Sequence, residues 1–252
     1  MIPQRLIPLA GAHNLRDLGG YPASGGQTAW RRALRADSLH RLDLQAMETL
    51  RDMGCTTVID LRHGEETGAQ ANPFAAGFDG VLYHNISLFA GLDPSRPGLK
   101  EAEDVLFALY CQALEECAAE FVQVLRVVAD APGTVLFHCT AGKDRTGMIA
   151  ALLLLLAGTP RAEIVADYAL TSRYSPVMFA ALRDELEAAG RDFDLASPLL
   201  LSEAATMEAF LGHLDTTHGG AEAYLLTHGL TEREIAALRS RMLQAEAMEG
   251  AA

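Results

Sequence analysis

Lysine is nearly absent from this 252-residue chain, which carries only Lys100 and Lys143 among its 20 basic residues. The excess of arginine over lysine is most simply a matter of genome composition. Cysteine is also scarce. The four residues at 55, 111, 117 and 139 form no CxxC pair and show no metal-ligand spacing. That excludes a zinc site and a disulfide framework, and it points to a reducing compartment. His40, His63 and His84 lack partner spacing for a metal too, so neither a metal nor a cofactor is expected. Long hydrophobic runs are missing. The longest, Met148 to Ala157, spans ten residues, enough for a buried helix and too short for a membrane span. The opening MIPQRLIPLAG is too short and too broken by proline for a signal peptide. A cytoplasmic protein without integral membrane association is expected, with export by another route left open. Positive charge is in deficit, at a formal net −13. Residues 1–62 hold 8 arginines against 6 acids, and the rest of the chain holds 12 basic against 27 acidic residues. Such a surface repels nucleic acid and anionic membranes, so an anionic substrate would need a local positive pocket.

What is present is ordinary globular material, 50% hydrophobic and 21% charged. Residues 1–28 read as loop, and Ala29 to Ala36 as a strand. Leu44 to Met53 has helical spacing and stops at Gly54. Thr56 to Asp60 is a β-branched strand, and Val81 to Ile86 another. Gly91 to Gly98 is dense in turn residues and reads as a mobile loop. Glu101 to Asp130 has helical period, divisible into two helices. Thr134 to His138, a loop, and an apolar helix through Ala157 form a strand–loop–helix unit. Thr159-Pro160 and Ser175-Pro176 look like the starts of two further helices. Another helix begins at Ser202, and Thr231 with Glu234 forms a capping box for a last one running to about Ala245. Strands alternate with helices early, and the end is nearly all helix. The expectation is one α/β domain over 1–252, a parallel sheet flanked by helices, with a helical C-terminal part at about 199–247.

The chemistry concentrates in His138-Cys139-Thr140-Ala141-Gly142-Lys143-Asp144-Arg145-Thr146-Gly147. A loop that closes onto a helix N-terminus presents free backbone N–H groups, and the helix dipole adds positive potential. Phosphate fits there, with Thr140, Ala141, Gly142, Lys143 and Asp144 forming the loop around it. A cysteine in such a field is ionised at neutral pH more readily than a free thiol. Arg145, six residues on, can curl back so that its planar fork meets two phosphate oxygens. The Thr146 hydroxyl can donate to the cysteine sulfur as it leaves. A lone cysteine is commonly a core residue. Here the joint occurrence of Cys139, Arg145, Thr146 and small loop residues favours chemistry. The Walker phosphate loop fails, because Phe137 stands where its first glycine belongs and Asp144 follows the lysine.

HCTAGKDRTG resembles the signature loop of the atypical bacterial protein-tyrosine phosphatases. Asn14 to Tyr21 (NLRDLGGY) resembles that family's N-terminal segment, and Val58 to Arg62 with Glu66 resembles its DLR…E segment. Asp167-Tyr168 and the Gly219 to Leu230 stretch, with Tyr224 and Gly229-Leu230-Thr231, are similar to its later motifs. The resemblance implies a parallel sheet with the loop at the C-terminal end of a central strand. It also implies metal-independent hydrolysis through a phosphocysteine. The substrates implied are phosphotyrosine, in some members also phosphoserine, phosphothreonine or phosphoinositides.

The departures matter. There is no WPD triplet, and Trp30 is the only tryptophan. Asp93, in the Pro/Gly-rich loop, is the preferred general acid, and Asp144 is its rival. Lys143 and Asp144 can also contact substrate beyond the phosphate. A lysine there would meet a second phosphate, which keeps an inositol-phosphate or phosphoinositide phosphatase open as an alternative. A non-catalytic phosphate-binding module is the third reading. Arg16, Asp17, Asp60 and Arg62 are expected to form a salt-bridged lattice that supports the loop. Oligomeric state is not legible.

Overall fold

The structure is a computed structural model that describes residues 4–88, 104–188, 190 and 197–244. Five strands form the main sheet: β1 (Arg16–Asp17), β4 (Ala33–Ala36), β5 (Cys55–Asp60), β6 (Leu82–Asn85) and β7 (Thr134–His138). Their order is β1-β4-β7-β5-β6. β4, β7, β5 and β6 run parallel, and β1 joins the edge antiparallel. A short hairpin pairs β2 (Pro22–Ala23) with β3 (Gly26–Gln27). β7 is therefore central, and its last residue, His138, is in register with Ala36 on one side and Asp60 on the other.

The inner strands β4, β7 and β5 carry apolar side chains on both faces, as a sheet covered on both sides requires. Side chains of alternate residues point to opposite faces. Val135, Phe137 and Ile59 enter one core, while Leu136, Val58 and Leu34 enter the other. The smaller core is closed by α1 (Leu44–Asp52), whose first turn Asp43 caps by accepting from the Ala46 N–H. The larger core takes residues from α3 (Val105–Glu116), α4 (Ala118–Asp130), α5 (Asp144–Leu156), α6 (Arg161–Ala188), α7 (Ala204–His218), α8 (Ala221–Thr227) and α9 (Glu232–Met242). α5 is buried almost all round, which its uniform apolar run from Met148 dictates.

Two expectations change. Residues 1–28 are not all loop, since β1 to β3 lie there. Ser175-Pro176 does not start a helix, because α6 runs through it. A proline inside a helix deprives the carbonyl four residues back of its donor. That carbonyl belongs to Ser172, and the Ser175 hydroxyl donates to it at 3.4 Å. The dipeptide thus contains the repair for its own defect. The described part of the Glu101 to Asp130 stretch, from Asp104 on, does divide in two, with buried Cys117 at the joint. The capping box at Thr231 and Glu234 is present. A short helix, α2 (Gly64–Ala69), was not legible in advance. Gly91 to Gly98, including Asp93, lies outside the described residues. No helix among the described residues is long and apolar enough to cross a membrane.

Candidate active site

The loop from Cys139 to Lys143 leaves the C-terminal end of β7 and runs into α5, the position where open parallel sheets bind ligands. Its shape is set by what holds its carbonyls. The Cys139 carbonyl faces His138 Nδ1 at 3.2 Å, and the Thr140 carbonyl accepts from the Ser38 N–H at 3.0 Å. The Ala141 carbonyl accepts from Asn14 Nδ2 at 3.1 Å. The Gly142 carbonyl accepts from Arg35 Nη2 at 2.8 Å and from Asn14 Nδ2 at 3.3 Å. In a trans peptide the C=O of one residue and the N–H of the next point in opposite directions, and no peptide among the described residues is cis. The N–H groups of residues 140 to 143 therefore turn away from this scaffold. The N–H groups of 144 to 146 follow as the open first turn of α5, whose first ladder bond runs from Gly147 to Lys143. Such a ring of donors can hold a tetrahedral anion.

Gly142 makes the bend possible. Its φ is +64°, and a side chain there would sit 2.6 Å from the Ala36 carbonyl carbon. Gly147 is needed for packing, since a Cβ there would lie 3.0 Å from the Tyr168 ring.

Cys139 is buried at the mouth of the helix. Arg145, on the first turn, is gripped by Glu66 of α2, with Nη1 at 2.6 Å from Oε2 and Nη2 at 2.9 Å from Oε1. Thr140 Oγ1 donates to the same carboxylate. Burial would raise the Glu66 pKa, but Arg145 and Thr140 outweigh it and bring it to about 2. Thr146 Oγ1 is buried without a hydrogen-bond partner.

Lys143 and Asp144 are placed differently from the expectation that they face substrate. Lys143 is buried. Its ammonium lies 2.9 Å from the Leu199 carbonyl, 2.8 Å from that of Leu201 and 2.8 Å from Asp144 Oδ1. A lysine has three donors, and these three oxygens match them. Asp144 Oδ1 also accepts from the Tyr110 hydroxyl at 2.5 Å, and Tyr110 pairs with Tyr168 at 2.7 Å.

Behind the loop the expected lattice is really two. Asp60 binds Arg62 in fork geometry at 2.9 and 2.7 Å, and Arg62 reaches Ser38 at 3.0 Å. His138 Nε2 faces Asn72 Nδ2 at 2.8 Å. An amide donor on one ring nitrogen and a carbonyl acceptor at the other fit a neutral imidazole, and burial lowers the His138 pKa to about 4. The second lattice joins Arg16 and Arg35 to Asp167. Asp17 belongs to neither. It accepts from the N–H groups of Gly19 and Arg31. Arg35, Asn14 and Ser38 touch the loop directly; Asn14 lies in the NLRDLGGY segment, whereas Arg35 and Ser38 carried no sequence signal of their own. No spacing rule links residues more than a hundred positions apart.

Fold and loop together define an α/β protein built around a turn of inward-facing backbone N–H groups, flanked by a cysteine and an arginine. The model of the tyrosine phosphatase family matches residues 7–244. A tyrosine-protein phosphatase of Nostoc commune is 37% identical over 223 residues, covering 84% of this chain and 74% of its own length. The triple specificity protein phosphatase PtpB of Mycobacterium tuberculosis is 27% identical over 279 residues, covering 93% of this chain and 98% of its own. A crystal structure of P. aeruginosa TpbA in complex with pTyr aligns with TM-score 0.39 and 14% identity, over 79% of this chain and 86% of that one. The chain belongs to the tyrosine phosphatase family, and it is a phosphatase.

Proposed function

We propose that this phosphatase hydrolyses phosphotyrosine through a phosphocysteine on Cys139. The observation that carries the reading is the set of four loop carbonyls tied to the scaffold, which turns the N–H groups of 140 to 143 the other way around Cys139. The Cys139 sulfur attacks phosphorus while the loop N–H groups and Arg145 take the equatorial oxygens, where charge must be stabilised. Glu66 occupies the Nη1 and Nη2 edge of Arg145, with Thr140 Oγ1 and the Leu61 carbonyl also near these nitrogens, so phosphate meets the Nε side of the guanidinium. Thr146, buried and unpartnered, supplies a hydroxyl for the departing sulfur. Asp93 is the proposed acid for the leaving oxygen, and afterwards the base for water.

Phosphoserine and phosphothreonine are included by the likeness to a triple specificity phosphatase. The phosphoinositide alternative rested on Lys143, whose three donors are engaged within the protein. A panel of phosphotyrosine, phosphoserine and phosphothreonine peptides and phosphoinositides, each with and without chelator, tests the reading. Phosphotyrosine turnover that survives chelation supports it. Strict metal dependence, or turnover of lipid alone, would replace it.

A further inference from the structure

Two of the four carbonyl ties, those at Ala141 and Gly142, converge on one side chain that stays clear of the loop. Asp167, on α6, is 1% exposed. It accepts from Arg16 Nε at 3.0 Å, from the Tyr21 hydroxyl at 2.9 Å and from Arg35 Nη1. Its backbone carbonyl takes Arg16 Nη2 at 2.9 Å. From there two arms run to the loop. In one, Arg35 uses its other terminal nitrogen on the Gly142 carbonyl. In the other, Arg16 Nη1 fixes the Asn14 Oδ1, which aims the Asn14 amide at the Ala141 and Gly142 carbonyls.

We propose that Asp167 is a positioning residue for phosphate binding, setting through Arg35 and Asn14 the orientation of the two peptide planes that carry the N–H groups of Gly142 and Lys143. The proposal rests on the reading of the loop as the phosphate site. A guanidinium can bridge two acceptors only if both stand in its plane. Asp167 fixes that plane for Arg35, and the plane fixes the peptide. Removing the carboxylate also leaves Arg16 and Arg35 as two buried cations without their counter-ion, a costly arrangement that drives the guanidinium groups apart. Burial would raise the Asp167 pKa, but Arg16 and Arg35 hold it well below the carboxylate range.

The test uses the full chain with inorganic phosphate as probe, read as a competitive inhibition constant. Asp167→Asn keeps the shape and removes the charge. Its inhibition constant should rise by the ~10- to 100-fold that loss of an outer-shell partner costs a metal site. Arg35→Lys keeps the charge but cannot serve Asp167 and Gly142 in one plane, and should move the constant in the same direction. Tyr224→Phe is the control for stability. It removes a buried bond to the Leu114 carbonyl away from the loop, and should lower the melting temperature without moving the constant. A folded Asp167→Asn or Arg35→Lys enzyme with the wild-type constant overturns the proposal. If Asp167→Asn does not fold, Arg35→Lys decides. If neither folds, the lattice is structural and the proposal falls. Failure of the underlying reading looks different, because wild type would then not bind phosphate, or Cys139→Ser would retain full turnover.

Discussion

Glu66 and Arg145 meet through two bonds, 2.6 and 2.9 Å long, that fix the guanidinium plane at the start of the helix after the Cys139 loop. Glu66→Gln keeps the shape and loses the charge and one acceptor. A loss of about 10-fold or more in kcat is expected, within the range of a group that orients a charge-stabilising donor. Arg145→Lys should do more. A point charge replaces a fork, and the loss should reach several hundred-fold, about 3–4 kcal/mol in transition-state stabilisation. Steady-state kinetics on a phosphotyrosine peptide check both, and near-normal rates in Arg145→Lys would remove the clamp from the mechanism.

Cys139→Ser should abolish turnover and leave phosphate binding intact. A serine hydroxyl is un-ionised at neutral pH, while the ring of N–H groups is unaltered. Trapping radiolabelled phosphate on the wild-type protein, and its absence from the variant, would identify the covalent intermediate.

The identity of the acid is read from the leaving group. A nitrophenolate departs unaided, whereas a tyrosine phenolate, with a pKa of about 10, needs a proton. Asp93→Asn should therefore cost up to ~10²–10⁴-fold on phosphotyrosine and far less on nitrophenyl phosphate. Asp144 is already bonded to the Lys143 ammonium and the Tyr110 hydroxyl. Asp144→Asn should lower both substrates alike. The reverse pattern would transfer the role to Asp144.

Acid should destabilise the fold in two stages. His138 has its pKa lowered from 6.5 to about 4, so across that window the unfolded chain takes up a proton that the folded one refuses. Stability then falls as pH drops through the window. Glu66 is depressed from 4.5 to about 2, so its contribution is full above 4.5 and is lost as pH falls toward 2. Urea unfolding across this range should show both stages, and His138→Gln should shrink the upper one, to which His40 and His218, also shifted down by burial, contribute the rest.

Gly142→Ala should disable the loop. The residue sits at φ +64°, and the added methyl would strike the Ala36 carbonyl. Strain of about 1–3 kcal/mol is expected, with phosphate affinity falling more than melting temperature.

The strand–loop–helix unit was legible because each part has a local signature: a β-branched or apolar run, small loop residues, an apolar helix. Cys139 and Arg145 were singled out by their spacing. That the partners of the loop would meet it was not legible, even for Asn14 in the NLRDLGGY segment. Asn14, Arg35 and Ser38 reach it across the sheet, and no periodicity connects them to residues 140–142. His63, which bore no metal spacing, proves to cap α2 and so helps to place Glu66. Lys143 misled for a related reason. Beside a phosphate loop a lone cation looks like a ligand group, and only tertiary structure reveals the backbone oxygens of Leu199 and Leu201 around it. Ser175-Pro176 has a helix-start pattern, and only the bond to Ser172 shows why the helix continues.

Asn14 and Gly142 stand 128 positions apart, and Arg35 and Gly142 stand 107 apart. A nascent or partly folded chain can carry the whole signature sequence and still lack the turn that gives it meaning. Contacts of such range form late and slowly. Reactivity should therefore emerge abruptly at the end of refolding, when the N-terminal segment docks, and a fragment made of the cysteine loop and its helix should be chemically inert.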